Sequence, residues 1–240
     1  MTAPLSPRSP ADIFQVMNPK QRAAEAALEQ VQSGMVLGLG TGSTADYFLQ
    51  ALAAAIKTGR LADLRGVPTS RQSERRAQYL GIPLASLVEC PTPDLTIDGA
   101  DEIDPRLNLI KGLGGALLRE KIVAQNSRRL LIIADSSKSV PALGVKSPLP
   151  VEVAPFGHES HERFLRSLGA TPILRKAQDA LYTTDNGNYI YDCRFSRIDD
   201  PDQLQSALKS RAGIVETGLF IGLAHEAIIA GDEGLEHRTR

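Results

Sequence analysis

Hydrophobic and polar positions follow two successive patterns along this chain. Over 19–32, Ala and Leu recur among charged residues at helical spacing, with Asn18 placed to cap the first turn and Pro19 at the first helical position. Residues 35–40 form a short apolar run closed by glycines, and 44–58 return to a helical pattern carried by Tyr47, Phe48, Ala51, Leu52 and Ala55. A strand-like segment at 64–69, a helical one at 72–80, a short extended piece at 83–86 and an apolar run at 95–97 ending in Asp98 come next. A Gly-rich segment at 112–115, a helix over 116–127 and the apolar run 130–134 complete the series. Strands alternating with helices predict a parallel sheet whose ligands lie beyond the carboxyl ends of the strands.

From Pro148 the order changes to strand 151–154, helix 158–168, strand 173–175, a hairpin over 181–194, helix 201–209 and strand 214–220. This βαββαβ order is that of a ferredoxin-like α+β module. Asn186-Gly187 is the pair favoured in a type I′ turn, and we read it as a turn and nothing more. The last strand and a helix over 224–230 return to the first unit, and a polar tail follows Gly231. The expected organisation is a flexible Pro- and Ser-rich extension at 1–18, a Rossmann-like α/β unit at 19–147 plus about 218–240, and a ferredoxin-like unit at 148–217.

Composition adds exclusions. With 42% hydrophobic and 23% charged residues, the 240-residue chain has the balance of an ordinary globular protein. Lys plus Arg number 27 against 28 Asp plus Glu, so no global field draws it to nucleic acid or to an anionic membrane, and any phosphate must be held locally. No run approaches the ~18 consecutive apolar residues of a membrane span. Cys90 and Cys193 stand outside any metal or redox spacing and read as free thiols, which suits a reducing cytoplasm. His158 and His161 are three apart, not the four of H-E-x-x-H, and read as a solvated helix face; His225 and His237 have no motif around them.

Four polar segments fall at or near predicted strand ends. Gly38 to Thr44 joins a strand to a helix, where unpaired amides and the helix dipole favour an anion. Ser43 stands where a dinucleotide fingerprint wants Gly, and Gly42 where a nucleotide loop wants Lys, so a lone phosphate suits it better. A tight turn with a capping hydroxyl accounts for the same residues. Asp98, Asp101, Glu102 and Asp104 lie in the next segment, able to accept hydroxyl protons, hold a metal or cap a turn. Lys111 precedes a Gly-rich turn and Arg119-Glu120-Lys121 lies about one helical turn beyond it, either a solvated face or, for Glu120, a base in a cleft. Lys138 follows the 130–134 run, in the cleft or in water.

Taken together, GLGTGST at 38–44, IDGADEID at 97–104, KGLGGALLREK at 111–121 and ADSSK at 134–138 resemble the type A ribose-5-phosphate isomerases in order and spacing. The likeness runs on through PLPVEV at 148–153, TDNGN at 184–188 and GIVETGLF at 213–220. It implies an aldose–ketose isomerase of the non-oxidative pentose phosphate pathway that interconverts ribose 5-phosphate and ribulose 5-phosphate through an enediolate, with no metal or other cofactor. It further implies that Thr41, Gly42, Ser43 and Thr44 contact the substrate. Asp98, Gly99, Ala100 and Asp101 would lie at its reacting end. Lys111, Gly112, Leu113 and Gly114 would bind it and stabilise negative charge, Glu120 would accept the proton, and Lys138 would bind substrate. Leu113 is a departure, standing where many members have the middle of three glycines. The family likeness points to a homo-oligomer, a dimer most simply. The alternative is a sugar-phosphate-sensing module of similar fold, which would need a DNA-reading segment that 1–18 does not offer. An acyl-CoA transferase-like enzyme of related architecture would want a nucleophilic Glu in a different context.

Overall fold

Short apolar strands and amphipathic helices alternate through the first half of the computed structural model, which describes residues 18–240. The expected extension lies outside the described residues except for Asn18, whose side chain accepts from the Lys20 amide and so caps the first helix. That half comprises α1 (Pro19–Leu28), β1 (Val36–Leu39), α2 (Ser43–Lys57), β2 (Arg65–Pro68), α3 (Arg71–Leu80), β3 (Leu95–Asp98), β4 (Glu102–Ile103), β5 (Leu109–Ile110), α4 (Leu117–Asn126) and β6 (Leu130–Asp135). Then come β7 (Leu149–Val153), α5 (Ser160–Ser167), β8 (Thr171–Leu174), β9 (Lys176–Ala177), β10 (Ala180–Leu181) and β11 (Tyr189–Arg194). The chain continues with α6 (Pro201–Lys209), β12 (Ile214–Thr217), β13 (Leu219–Phe220), β14 (Glu226–Gly231) and β15 (Gly234–Thr239).

The central sheet runs β15-β14-β6-β3-β1-β2, parallel throughout except for the antiparallel edge strand β15. Both faces are covered, so successive residues of one strand enter different cores. Leu131 and Ile133 of β6 pack with Phe48, Leu49 and Leu52 of α2, whereas Leu130 and Ile132 pack with Leu109, Ala124 and Phe220. Parallel strands all end at one edge, and the Gly-rich and acidic loops after β1 and β3 emerge there together.

The second sheet has the order β12-β7-β11-β8, antiparallel throughout, with α5 and α6 as its connecting helices. This is the ferredoxin-like arrangement expected from the βαββαβ order. A third, three-stranded sheet, β13-β5-β4, joins the acidic segment to the chain returning from the second sheet.

The predicted helix at 224–230 is the strand β14, and the polar tail forms β15; Ala227 to Ala230 are buried against both cores, and a continuous apolar run does not distinguish a buried strand from a buried helix by period. The single strand at 214–220 is two, because the Gly218 amide and carbonyl bind Pro150 O and the Lys111 amide and so turn the chain between sheets. The hairpin at 181–194 does not form, since β11 inserts between β7 and β8 and Leu181 belongs to the small hairpin β9–β10. Nor is the turn type I′: Gly187 has φ 83° but Asn186 is not among the positive-φ residues. That turn also does more than reverse the chain, because Asp185 accepts from the Arg71 amide and Asn186 from Arg119 Nε. His161 is buried, not solvated, and accepts from Arg211 Nε. Both cysteines are buried and unpaired. Among the described residues no helix is long and apolar enough to cross a membrane.

Candidate active site

The loops after β1, β3 and β6 meet the Gly-rich turn before α4 around a pocket of about 130 Å³. Its walls are Lys20, Thr41 to Thr44, Gln72, Gly99 to Asp101, Lys111, Gly112, Gly114, Glu120 and Lys138. A wider groove of about 400 Å³, lined by Val67, Leu84, Leu87, Ile122 and Val123 among others, opens elsewhere and holds none of these groups. Convergence of polar side chains makes the smaller pocket the candidate site.

Lys111 is the hub of the pocket. Only 3% exposed, it donates from Nζ to Gly99 O at 2.7 Å, pairs with Asp98 Oδ2 at 3.0 Å and approaches Glu120 Oε2 at 3.3 Å. Burial disfavours its charge, but Asp98, Glu120 and Asp101 outweigh that and raise its pKa. Asp98 lies beneath the pocket rather than on its wall, 1% exposed, with Oδ1 accepting from the Thr41 and Gly99 amides. Glycine at 40 makes this possible, because a Cβ there would fall 2.4 Å from Asp98 Oδ1.

Glu120, in the first turn of α4, is 5% exposed, and its Oε2 has no hydrogen-bond partner among the described residues. Burial pushes its carboxyl up to about 8, against the pull of Lys111 and with help from Asp98 and Asp101. The reading of Arg119-Glu120-Lys121 as a solvated face is therefore corrected for two of the three. Lys121 is 4% exposed, paired with Glu216 at 2.7 Å and 4.9 Å from the Phe220 ring. Strand β13 and the end of β12 cover this face of α4, and no local pattern announces such a remote cover.

Around the loop at 38–44 the groups divide. Thr41 lines the pocket, with its amide donating to Asp98 Oδ1 at 3.0 Å and its hydroxyl to Ser70 Oγ at 2.8 Å. The first amide of this stretch committed within α2 is that of Asp46, to Gly42 O, which leaves the preceding helix N-terminus facing the pocket. Ser43 Oγ accepts from Lys20 Nζ at 3.0 Å. Sequence reasoning missed Lys20 and Gln72, because each is one polar residue among many on an amphipathic helix and only the packing of α1 and α3 brings them to the loop.

Of the acids at 98–104, two are structural. Glu102, fully buried, accepts from the Gly144, Lys146 and Ser147 amides. Asp104 accepts from the Arg106 and Asn108 amides in a turn. Asp101 lines the pocket, with Oδ2 accepting from the Leu113 amide at 3.0 Å. Burial raises the Asp101 pKa, and the Leu113 amide, Lys111 and Lys138 oppose the rise. Leu113 itself does not line the pocket and its side chain is 41% exposed. Lys138 closes the short 3₁₀ turn after β6 and reaches the wall. No group of three or more His, Cys, Asp or Glu among the described residues is arranged to hold a metal ion.

A buried lysine, two carboxylates of raised pKa and a helix N-terminus at the strand ends of an open α/β sheet define a protein that binds a small anionic molecule and can move protons on it. Residues 65–234 match the family described as ribose 5-phosphate isomerase A (phosphoriboisomerase A). The chain belongs to this family. Ribose-5-phosphate isomerase A of Roseiflexus castenholzii is 52% identical over 217 residues, which cover 90% of this chain and 93% of the relative. A D-ribose-5-phosphate isomerase solved in complex with phospho-erythronic acid superposes with a TM-score of 0.91 at 40% identity, over 93% of this chain and 100% of that one. The ribose 5-phosphate isomerase of Plasmodium falciparum gives 0.89 at 40% identity, over 92% and 97%.

Proposed function

We propose that the chain interconverts ribose 5-phosphate and ribulose 5-phosphate in this pocket by proton transfer through an enediolate. The observation that carries the mechanism is the buried Glu120 oxygen without a hydrogen-bond partner beside Lys111. Glu120 takes the proton from C2 of the aldose and returns it to C1, and its raised pKa suits a group that must both accept and release a proton near neutrality. Lys111 and the amides of the Gly-rich turn stabilise the enediolate oxygens. Asp101 relays protons among the sugar hydroxyls, with Lys138 favouring its charge. Asp98 acts through Lys111, which it holds in place. The α2 N-terminus with Ser43, Thr44 and Lys20 takes the phosphate. Carbonyl migration from C1 to C2 leaves the sugar's overall oxidation level unchanged, so the scheme calls on no redox cofactor, and Lys111 supplies the charge stabilisation.

The experiment is direct conversion of ribose 5-phosphate by the purified protein, assayed with and without exhaustive chelation. Conversion that survives chelator is expected. Absence of conversion refutes the assignment, and loss restored by one divalent ion refutes the metal-free mechanism.

The same reading carries a two-fold homodimer, which sedimentation at working concentration checks and a monomer would refute. It also carries a cytoplasmic setting, supported by the two unpaired buried thiols and checked by cell fractionation. We treat 19–147 with about 218–240 as the catalytic unit and 148–217 as the smaller one, which limited proteolysis would separate.

A further inference from the structure

The Gly-rich loop between β5 and α4 is gripped from outside by the four-stranded sheet. Arg175 directly follows β8 and makes a two-point contact with the Asp192 carboxylate on the neighbouring strand β11, Nε to Oδ2 at 2.8 Å and Nη2 to Oδ1. That fork fixes the plane of the guanidinium. The remaining nitrogen, Nη1, donates to the carbonyls of Gly112 and Leu113, both at 3.1 Å. Tyr182 braces the same stretch, its ring 5.5 Å from the guanidinium and its hydroxyl donating to Gly114 O at 3.4 Å. A Cβ on Gly115 would fall 2.0 Å from that hydroxyl, so glycine is what lets Tyr182 approach.

A trans peptide is planar, so the carbonyl of one residue and the amide of the next point in opposite directions. Gly112 O also accepts from the Gly115 amide at 2.9 Å, and this turn together with Arg175 sends the Leu113 amide the other way, where it meets Asp101 Oδ2. Holding Leu113 O likewise sends the Gly114 amide away from Arg175, and Gly114 lines the pocket. Among the described residues the Gly114 amide makes no backbone hydrogen bond.

We propose that Arg175, held by Asp192, is a positioning residue for the isomerisation. By drawing two carbonyls outward it seats one amide on Asp101 and presents the next to the enediolate oxygens. Neither Arg175 nor Asp192 lines the pocket, so both act through the loop. The inference rests on the reading of this pocket as the isomerase site and deepens it.

The test compares the full-length wild type with Arg175→Gln, Arg175→Lys and Asp192→Asn. It measures kcat and KM for ribose 5-phosphate and inhibition by phospho-erythronate, whose carboxylate presents oxygens where the enediolate develops them, and by inorganic phosphate. Arg175→Gln is expected to lower kcat about 10- to 100-fold, the scale of loss from a misplacement of about 1 Å. Its KM should stay within about threefold, because the affected amide contributes in the transition state and not to ground-state binding. Phospho-erythronate should bind about tenfold or more weakly, while inhibition by inorganic phosphate stays unchanged. Arg175→Lys, a point charge able to reach one carbonyl, should recover part of kcat. Should Arg175→Gln fail to fold, Asp192→Asn must show the same split at smaller size. Unchanged kcat in a folded variant overturns the inference. So does equal weakening of both inhibitors, the pattern of a brace that only supports the fold. A wild type that does not convert ribose 5-phosphate overturns instead the reading of the site, and does so before any variant is compared.

Discussion

Glu120→Gln is the most informative single perturbation because it keeps volume and shape while removing the group that accepts the proton. Lys111 retains Asp98 and Gly99 O as partners, so the pocket floor stays in place. Loss of a positioned base costs about 10²- to 10⁴-fold in turnover, or roughly 3–5.5 kcal/mol at 1.36 kcal/mol per decade. The carboxyl pushed up to about 8 adds a pH signature. Below that value only a minority of the enzyme carries the base form, so wild-type kcat/KM should climb about tenfold per pH unit and level off above it. A phosphomonoester releases its second proton near pH ~6, so a lower limb there belongs to the substrate.

Stability gives the sign independently. A carboxyl whose folded pKa lies above its unfolded value of 4.5 contributes stability that is complete below 4.5 and lost as pH rises through about 8. The unfolding free energy of Glu120→Gln relative to wild type should therefore rise between those values and stay flat above them, by an amount on the order of a few kcal/mol, with its melting temperature following the same trend. The assay is steady-state conversion of ribose 5-phosphate across pH 6 to 9, roughly the span that brackets such a titration, beside calorimetric melting of both proteins. Near-normal turnover in a folded Glu120→Gln protein would remove this residue from the mechanism.

The phosphate end is tested separately. Substituting Ser43 and Thr44 by Ala, or Lys20 by Ala, should raise KM for ribose 5-phosphate several-fold, roughly the scale of losing uniform binding, with a smaller loss of kcat and little effect on unphosphorylated ribose. An equal loss on both sugars would reassign these groups to the sugar hydroxyls or to helix capping. Glu102→Ala strands three amides that the carboxylate now satisfies, each costing about 1–3 kcal/mol when buried and unpaired. Of the three only the Gly144 contact is fully buried, so denaturant unfolding should show a loss of about 1–3 kcal/mol, and an unchanged unfolding free energy would refute the structural role given to Glu102.

The order of strands, Gly-rich turns and helices was written in the chain, and in a parallel sheet that order already forces Asp98, Lys111, Glu120 and Lys138 toward one edge. Local period therefore sufficed to place Gly38 to Thr44, Asp101 and Lys111 near one another, and the βαββαβ order to place the second sheet. What it could not decide was cover. Glu120 and Lys121 sit in a helix whose own pattern reads as half polar, yet both are buried, Lys121 against Glu216 and Phe220 returning from the second sheet and Glu120 beside Lys111. The run at 226–231 is a strand because neighbours fill both its faces. The Thr41 hydroxyl is tied to Ser70 at the next strand end, a contact the loop's own pattern does not announce. Lys20 reaches the pocket wall and Arg175 the loop behind it from distant segments, and neither leaves a local mark. A side chain's desolvation, and with it the raised pKa of Glu120, depends on what packs over it, and that is a property of the folded assembly of elements rather than of any one segment.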